Sequence, residues 1–368
     1  MNLDKLNELK KWMFQQKVDV AYISDPGHIA YFSGFTSEPH ERVLALFVPL
    51  DADPFLFTPA LEVEDAQNSS WKYDVFGYLD SENPWIKIQR LLNERLRTNF
   101  KTIAIEKGQL IVERLEVMKE NFPSADFSKD VTPLIQRLQV VKTKEEIQKL
   151  YDAASWADLA FETGFAALRE GVTEQEIVAE IEYKLKKRGV SEMSFGTLVL
   201  AGKNAASPHG NPGLNQIVKN KLVLFDLGTV WNGYTSDATR TVAFHEPSEF
   251  DRKIYEICLE AQLKAQEFVK PGVTAAEIDT IARDVITSYG YGEYFNHRLG
   301  HGIGTTVHEF PSLVEGNDLV IEEGMCFSIE PGIYIPDKVG VRIEDCVHVT
   351  KDGCIPFTKT TKELQIIR

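Results

Sequence analysis

Positive charge is scarce in this chain of 368 residues. It has 40 lysine and arginine residues against 55 aspartate and glutamate residues, which gives a net charge of −15. The acidic residues are spread along the chain without a basic patch, and this argues against nucleic acid or an anionic membrane as a partner. A small molecule or a peptide is therefore the expected type of ligand.

Long apolar segments are absent as well. No segment approaches the roughly 18 apolar residues that a membrane-spanning helix needs. The first 16 residues read as an amphipathic helix and are too charged for the apolar core of a signal peptide. The apolar positions of this helix are Leu3, Leu6, Leu9 and Met13. We therefore expect a cytoplasmic protein that does not bind membranes.

The sequence also lacks the signatures of disulfide, zinc, serine-nucleophile and phosphate-binding chemistry. Its four cysteines do not have the spacing of a disulfide framework or of a zinc site, and in the cytoplasm they should remain reduced. They are Cys258, Cys326, Cys346 and Cys354. No GxSxG nucleophile elbow is present, and the glycine-rich stretch GHGIGTTVHEF lacks the lysine of a phosphate-binding loop.

The length of the chain points to about two domains, each able to bury its own core. Helix-like and strand-like segments alternate up to Thr132-Pro133, which predicts an α/β domain with a mixed sheet over residues 1–133. Residues 134–368 are expected to form an α+β domain. In this domain a helix pair followed by strands occurs twice, with the capping junction GVTEQEI in the first copy and GVTAAEI in the second. The repetition indicates an internal duplication.

Two aspartates of the second domain are predicted to share one face of a hairpin. Asp226 ends the apolar segment LVLFD, and Asp237 follows an Asn-Gly turn signal at Asn232 and Gly233. If these two residues form the turn, Asp226 lies opposite Thr239, and Asp237 lies one diagonal step away on the same face.

Two glutamates form a second acidic hairpin in SIEPGIYIPDKVGVRIED. A turn centred on Asp337 or Lys338 would place Glu330 and Glu344 opposite or diagonal to each other. Because unpaired carboxylates are costly to bury, a cation is the most economical explanation for these acids. Together with His301, they suit a pair of divalent ions about 3.5–4 Å apart that activate one water. The alternative for any single acid is a solvated edge charge or a turn cap, and for His301 it is a loop histidine.

With these residues located, the chain resembles the pita-bread metallopeptidases, and within them the bacterial Xaa-Pro dipeptidases, or prolidases. The resemblance covers essentially the whole length. It implies a creatinase-type N-terminal α/β domain (1–133) and a pita-bread catalytic α+β domain (134–368). The family's metal ligands fall on Asp226 in FDLG, Asp237 in TSDATR, His301 in GHGIG, Glu330 in SIEPGIY and Glu344 in VRIED.

The resemblance also implies catalytic roles for four side chains. His209 in SPHG and His308 in VHEFP would contact the scissile peptide and its tetrahedral intermediate. Arg342 would join the hydrogen bonds around the metals, and Glu330 would carry a proton from the attacking water to the leaving nitrogen. From the residues alone, His209 is an exposed loop histidine, His308 a supporting donor or a surface histidine, and Arg342 a surface arginine.

The activity implied by the resemblance is hydrolysis of Xaa-Pro dipeptides. A hydroxide that bridges two divalent ions would attack the carbonyl before proline. Oxygen-rich ligation favours manganese, with cobalt or zinc as alternatives. The resemblance further implies a homodimer.

One position departs from the family pattern. Some prolidases have an arginine four residues after the second histidine, where it holds the carboxylate of the dipeptide, and this chain has Ser312 there. We hypothesise that Arg298 binds this carboxylate instead; the alternative is a surface arginine. The segment TSEPHERV, with His40, Glu41 and Arg42, is a second candidate that could reach the partner's site in a dimer, although a polar loop between strands is the simpler interpretation.

Other functions within and beyond this family remain open. An aminopeptidase P acting on longer Xaa-Pro peptides would share every metal ligand, and Ser312 keeps that alternative open. A catalytically silent pita-bread protein that binds peptides would be favoured by lost ligands, and none of the five is lost. Methionine aminopeptidase normally lacks the N-terminal domain, and creatinase-like hydrolysis without metal leaves the ligands unexplained.

Overall fold

The chain folds into two compact units, residues 1–138 and 139–368. The computed structural model describes residues 2–96, 100–207 and 210–368. The division between the units falls within a helix, Thr132–Val140, and the sequence-based boundary at residue 133 stays a prediction. Within the described residues, no helix combines the length and the apolar character that a membrane crossing requires.

The first unit is a five-stranded mixed sheet covered by helices. Its elements are α1 (Leu3–Gln16), β1 (Val20–Ile23), α2 (Pro26–Ser33), β2 (Ala45–Pro49), β3 (Phe55–Pro59), a 3-10 turn (Ala60–Glu62), α3 (Val63–Asn68), β4 (Val75–Tyr78), α4 (Pro84–Arg95), β5 (Ile103–Ile105), α5 (Val112–Asn121) and α6 (Thr132–Val140). The strand order is β4-β3-β2-β1-β5. The pairs β1–β5 and β3–β4 are parallel, and the other two are antiparallel.

Alternation along the strands divides the core of this unit into two layers. Val20 and Tyr22 pack in one apolar cluster with residues of α4 and α5. Ala21 and Ile23 pack in another cluster with residues of α1 and α2. Successive side chains of a strand point to opposite faces, so both faces of the sheet are covered by helices.

Helix α1 shows the predicted amphipathic pattern with one difference. Leu6, Leu9 and Met13 are buried, whereas Leu3 is exposed. The helix begins directly after Asn2, whose side chain accepts a hydrogen bond from Lys5 N at 3.4 Å. Leu3 therefore lies in the first turn, at the edge of the apolar face.

The second unit combines four long helices with a nine-stranded sheet. Its elements are α7 (Lys144–Ala167), α8 (Glu174–Lys186), β6 (Leu198–Ala201), a 3-10 helix (Gly202–Ala206), β7 (Lys221–Leu227), β8 (Val230–Trp231), β9 (Tyr234–Thr235), β10 (Ala238–Phe244), α9 (Glu249–Phe268), α10 (Ala275–Ser288), a 3-10 turn (Gly292–Tyr294), β11 (Gly300–Gly302), β12 (Glu309–Leu313), β13 (Cys326–Ile329), β14 (Gly332–Ile335), β15 (Val339–Arg342), β16 (Glu344–Val349), β17 (Cys354–Pro356) and β18 (Ile366–Ile367). The order along the sheet is β12-β11-β13-β16-β10-β7-β6, with β17 on β16 and β18 on β10.

The hydrogen bonds confirm the internal duplication. Gly171 N donates to Ile217 O at 2.9 Å in the first copy. Gly272 N donates to Ile321 O at the same distance, 2.9 Å, in the second. Helices α8 and α10 both start with a complete capping box, formed by Thr173 with Glu176 and by Thr274 with Glu277. The two copies meet where β10 pairs with β16, near the middle of the sheet.

Candidate active site

The first acidic hairpin has the register that its turn predicts. Asn232 and Gly233 have φ angles of 50° and 75°, the left-handed values that a two-residue hairpin turn requires. Strands β7 and β10 pair antiparallel, and Asp226 lies opposite Thr239. Asp226 and Asp237 line the same cavity. Local turn chemistry therefore brings both carboxylates to one place.

The second acidic hairpin delivers two more carboxylates to this cavity. Glu330 directly follows β13, and Glu344 begins β16. Ile329 pairs with Asp345 across these strands, so the same register sets Glu330 opposite Glu344. Asp337, at φ 60°, is the centre of the turn between β14 and β15.

His301 lies on β11 with its ring aimed at the acids. Its Nε2 is 3.2 Å from Glu330 Oε1 and 3.4 Å from Asp237 Oδ2. Its Nδ1 is 3.1 Å from the carbonyl oxygen of Gly302. A proton on Nδ1 would be shared with this carbonyl and would leave Nε2 free to bind a metal. Ligand atoms of Asp237, His301 and Glu344 all lie within 4.8 Å of one another.

The buried oxygens of this cluster fit divalent cations. Asp226 Oδ1 and Glu344 Oε1 are buried without a hydrogen-bond partner in the described part of the chain. Burial raises the pKa of both carboxyls, and it raises the pKa of Asp237 to about 7. Burial also acts on Glu330, but the hydrogen bond with His301 lowers its pKa overall. Unpartnered anionic oxygens around one imidazole are a donor set that hard divalent cations satisfy.

Arg342 is buried beside Asp226, so the surface alternative for this residue is wrong. Its side chain forms an ion pair with Asp226 Oδ2, and its Nη1 donates to Tyr334 OH at 2.7 Å. Its Nε donates to Thr239 Oγ1 at 3.1 Å, and this hydroxyl donates to Glu344 Oε2 at 2.7 Å. The guanidinium thereby fixes the orientation of one carboxylate directly and of another through a threonine.

His308 and Arg298 also border the cavity. The rings of His308 and His301 are 4.3 Å apart and nearly perpendicular. Burial and the neighbouring His301 lower the pKa of His308 to about 4, so its imidazole is neutral at pH 7. Arg298 Nη1 donates to Ser312 Oγ at 2.9 Å. His209 lies outside the described residues, and its role stays a prediction.

The remaining lining of the cavity was not identified from the sequence. The cavity has a volume of about 360 Å³, and its lining includes the apolar residues Phe195, Leu198 and Val307. His297 and Tyr334 also line it, and His297 Nε2 lies 3.1 Å from Tyr334 OH. These residues are scattered through loops and strands, and no periodicity or turn signal connects them. Only their position next to sequence motifs, as with Val307 before His308, offered a hint.

Comparison with known proteins places the chain in a family. The model of metallopeptidase family M24 matches residues 148–351, and the creatinase/prolidase N-terminal domain matches residues 5–141. The chain belongs to metallopeptidase family M24. It is 57% identical to an Xaa-Pro dipeptidase of Lactobacillus helveticus, over 100% of this chain and 99% of that protein. It is 54% identical to an Xaa-Pro dipeptidase of Lactobacillus delbrueckii subsp. lactis, with the same coverage of 100% and 99%.

A solved structure agrees with this assignment. The crystal structure of the prolidase from Pyrococcus horikoshii OT3 matches with a TM-score of 0.91 and 36% identity, over 98% of this chain and 100% of that one. The predicted combination of a creatinase-type N-terminal domain with a pita-bread catalytic domain is thus confirmed. The M24 chain is a metallopeptidase, as the sequence predicted.

The TSEPHERV segment of this M24 protein belongs to the first unit. Arg42 Nε and Nη2 donate to the carboxylate of Asp80 at 2.9 and 3.0 Å. His40 has a φ angle of 54° and is followed by an exposed Glu41. The approach of this segment to a partner's site, in the predicted cytoplasmic homodimer, stays a prediction.

Proposed function

We propose that this M24 metallopeptidase is an Xaa-Pro dipeptidase that hydrolyses the bond before proline in dipeptides. The observation that carries the proposal is the buried cluster of Asp226, Asp237, His301, Glu330 and Glu344. It lines a cavity of about 360 Å³ whose lining also includes apolar residues and Arg298. A cavity of this size suits a small peptide. The two Lactobacillus relatives, which bear this name and align over the whole chain, support the same activity.

The acid–histidine cluster would hold two divalent cations per subunit. We propose Mn²⁺ because oxygen donors dominate the set, with Co²⁺ or Zn²⁺ as substitutes. When bound, the cations supply a water that loses its proton near neutral pH and a positive charge that polarises the peptide carbonyl. The proposed ligands are Asp226, Asp237, His301, Glu330 and Glu344. The unpartnered oxygens of Asp226 and Glu344 support this assignment.

Glu330 is the proposed proton carrier. Its Oε1 accepts a hydrogen bond from Ser328 Oγ at 3.0 Å and lies beside His301, and its pKa is below the ordinary value. An ionised carboxylate in this position can take a proton from the attacking water and release it to the leaving nitrogen. That nitrogen must gain a proton to leave as a neutral amine, as in the hydrolysis of any peptide bond.

The neutral imidazole of His308 can donate a hydrogen bond to the carbonyl oxygen as negative charge develops on it. Donors positioned for the transition state are among the largest contributions to catalysis. His209 is proposed to act on the same group or on the peptide nitrogen side, as the family resemblance implies.

The apolar residues of the lining are proposed to account for proline selectivity, and Arg298 for the selection of dipeptides. Phe195, Leu198 and Val307 would contact the ring of proline, which has no N–H that the site must satisfy. Arg298 would bind the free carboxylate of the dipeptide, while Ser312 orients its guanidinium. Ser312 stands where some prolidases have the arginine that binds the carboxylate. It contacts Arg298, which is proposed to bind the carboxylate in this chain.

Replacing Arg298 by alanine is expected to raise the KM for Leu-Pro by about 10- to 100-fold. This corresponds to the loss of one charge-assisted contact. The KM for Leu-Pro amide, which lacks the carboxylate, should change much less. Steady-state kinetics with both substrates measure the difference.

Ser312→Ala is the matched control for Arg298. It removes one hydrogen bond to the guanidinium and keeps the charge, so its effect on the KM for Leu-Pro should be in the same direction and smaller. An unchanged KM for Leu-Pro in the Arg298→Ala enzyme would show that another group holds the carboxylate.

Dipeptides and tripeptides distinguish the proposed activity from its closest alternative. Manganese-loaded protein is incubated with Leu-Pro and with Leu-Pro-Ala, and released leucine is measured. Cleavage of the dipeptide alone supports the Xaa-Pro dipeptidase. Efficient cleavage of the tripeptide would instead identify an aminopeptidase P, and no cleavage of either substrate would favour the peptide-binding alternative.

A further inference from the structure

The segment of residues 303–308 joins β11 to β12 and brings His308 to the candidate active site. Strand β12 is at the edge of the nine-stranded sheet, and its register with β11 shifts between His301 and Gly302. A shift of this kind bends the strand and interrupts the ladder of hydrogen bonds. The ladder alone therefore does not fix the backbone around His308, and side-chain contacts must contribute.

Glu309, the first residue of β12, binds the segment that precedes it. Its Oε1 accepts from Thr305 N at 2.8 Å, from Thr305 Oγ1 at 3.3 Å and from Thr306 N at 3.3 Å. Thr306 Oγ1 in turn donates to His308 O at 3.1 Å. A Cβ atom at Gly304 would lie 2.7 Å from the carboxyl carbon of Glu309, so a glycine is needed there for the close approach. The carboxylate thus folds the 303–308 segment around the backbone of His308.

Lys142 binds the other oxygen of this carboxylate. Its Nζ donates to Glu309 Oε2 at 2.7 Å, and the two side chains are only 2% and 4% exposed. The backbone of Lys142 is itself fixed, because its N donates to Gly324 O at 2.9 Å. Gly324 lies two residues before β13, the strand that Glu330 follows. The ion pair therefore links the 303–308 segment to a strand that leads to a proposed metal ligand.

The start of the 303–308 segment is bound separately. Gly304 O accepts from Thr235 N at 2.9 Å and from Thr235 Oγ1 at 3.1 Å. Thr235 belongs to β9 and lies two residues before Asp237. The segment is thus attached at its start to β9 and at its end to Lys142, and His308 lies directly beside the second attachment.

Stability alone does not explain why this ion pair is buried. Both charges lose their hydration, and apolar side chains of similar volume are often as stabilising. Apolar side chains could not, however, bind the N–H groups of Thr305 and Thr306 on one side and Lys142 Nζ on the other. The pair therefore supplies a defined geometry rather than additional stability.

We propose that Lys142 and Glu309 are positioning residues that hold His308 in place for catalysis. Within the described part of the chain, neither residue is among those that line the cavity, so they act through His308. The inference rests on the proposed function, because it takes His308 as the donor to the carbonyl oxygen of the substrate. Small displacements of a catalytic group are costly, and about 1 Å can reduce a rate by 10²-fold.

A double-mutant cycle between Glu309 and His308 tests the proposal. Glutamine has one acceptor oxygen where the carboxylate has two, so in Glu309→Gln the side chain can accept from Lys142 or from Thr305 N but not from both. The substitution is expected to lower kcat for Leu-Pro by about 10- to 100-fold with little change in KM. In a His308→Ala background it should cause no further loss, because effects that act through one group are not additive.

Glu176→Gln is the matched control for Glu309→Gln. The carboxylate of Glu176 also accepts from a backbone N–H and a hydroxyl, both of Thr173 and both at 2.8 Å, but it caps α8. This control should leave kcat unchanged. Bound manganese should be equal in all variants, since neither Lys142 nor Glu309 is a proposed metal ligand.

A second variant keeps the test valid if Glu309→Gln does not fold. In Lys142→Met/Glu309→Gln the glutamine oxygen can face Thr305 N, and no charge is left buried without a partner. The link between the 303–308 segment and Lys142 is still lost, so kcat should again fall by about 10- to 100-fold. This variant then replaces Glu309→Gln in the cycle with His308→Ala.

Three results would overturn the positioning role while the proposed function stands. Wild-type kcat in Glu309→Gln would show that His308 does not depend on the ion pair. Equal losses of kcat with and without His308 would show that the pair supports the fold alone. Full activity of His308→Ala would remove this histidine from the mechanism. Failure of the proposed function is a different outcome, in which the wild-type enzyme of the same assay does not hydrolyse Leu-Pro.

Discussion

Replacing Glu330 by glutamine is expected to lower kcat for Leu-Pro by about 10²- to 10⁴-fold, the usual contribution of a general acid–base group. Glutamine preserves the shape of the side chain and can accept the hydrogen bond that Ser328 Oγ makes at 3.0 Å. It cannot take a proton from water at neutral pH. Steady-state kinetics at saturating manganese measure this effect.

The metal content of the same sample must be measured, because Glu330 is also a proposed ligand. Loss of kcat in protein that retains its full manganese content assigns the defect to proton transfer. Glu323→Gln, on an exposed residue of the same unit, is the matched control and should behave as wild type. A metal-loaded Glu330→Gln enzyme with wild-type kcat would contradict the proposed proton carrier.

Replacing Arg342 by methionine is expected to lower the free energy of unfolding by about 3–5 kcal/mol, the usual cost of breaking a buried ion pair. The side chains of Arg342 and Asp226 are only 6% and 12% exposed. Removing the guanidinium leaves the Asp226 carboxylate buried and also deprives Tyr334 OH and Thr239 Oγ1 of a donor. Urea unfolding of chelator-treated protein measures the loss without compensation by metal.

Arg169→Met is the matched control for this ion pair. Arg169 Nη1 lies 2.9 Å from Glu180 Oε1, but the two side chains are 56% and 45% exposed. An exposed pair contributes less than about 1 kcal/mol, so the control should unfold close to the wild-type urea concentration. Equal destabilisation by the two substitutions would show that the buried Arg342–Asp226 pair contributes no more to the free energy of unfolding than the exposed pair does.

Turn chemistry made the geometry of the acidic hairpins predictable from the sequence. A two-residue Asn-Gly turn leaves only one register for its strands, and Asp226 accordingly lies opposite Thr239. For the strands that lead to Glu330 and Glu344, the sequence left Asp337 or Lys338 as the centre of the turn, and the structure has the turn centred on Asp337. In both hairpins the decisive interactions are local, so a short stretch of sequence contains the information.

The contacts between distant segments were not predictable in the same way. The ion pair of Arg342 with Asp226 joins residues more than a hundred positions apart, and a surface position was the alternative that the sequence left open. The contact between Arg298 and Ser312 depends on the pairing of β11 with β12, which has a register shift after His301. The apolar residues that line the cavity likewise come from separate loops and strands. These contacts depend on tertiary packing, which no periodicity in the sequence predicts.

The duplicated helix pairs have one feature that could be predicted from the sequence and one that could not. The capping boxes at Thr173 and Thr274 made the repeat visible in the sequence, because the residues that start a helix are close together in the chain. The hydrogen bonds that Glu174 accepts from Ala201 N and Gly213 N could not be predicted in this way, because they join the start of α8 to positions far along the chain.

A metal titration tests the central claim most directly. Chelator-stripped protein receives Mn²⁺ in steps, and bound manganese and Leu-Pro hydrolysis are measured on the same samples. We predict no hydrolysis without metal and full activity once two ions are bound per subunit. Undiminished Leu-Pro hydrolysis by metal-free protein, or full activity with a single bound ion, would contradict a two-metal site formed by the five proposed ligands.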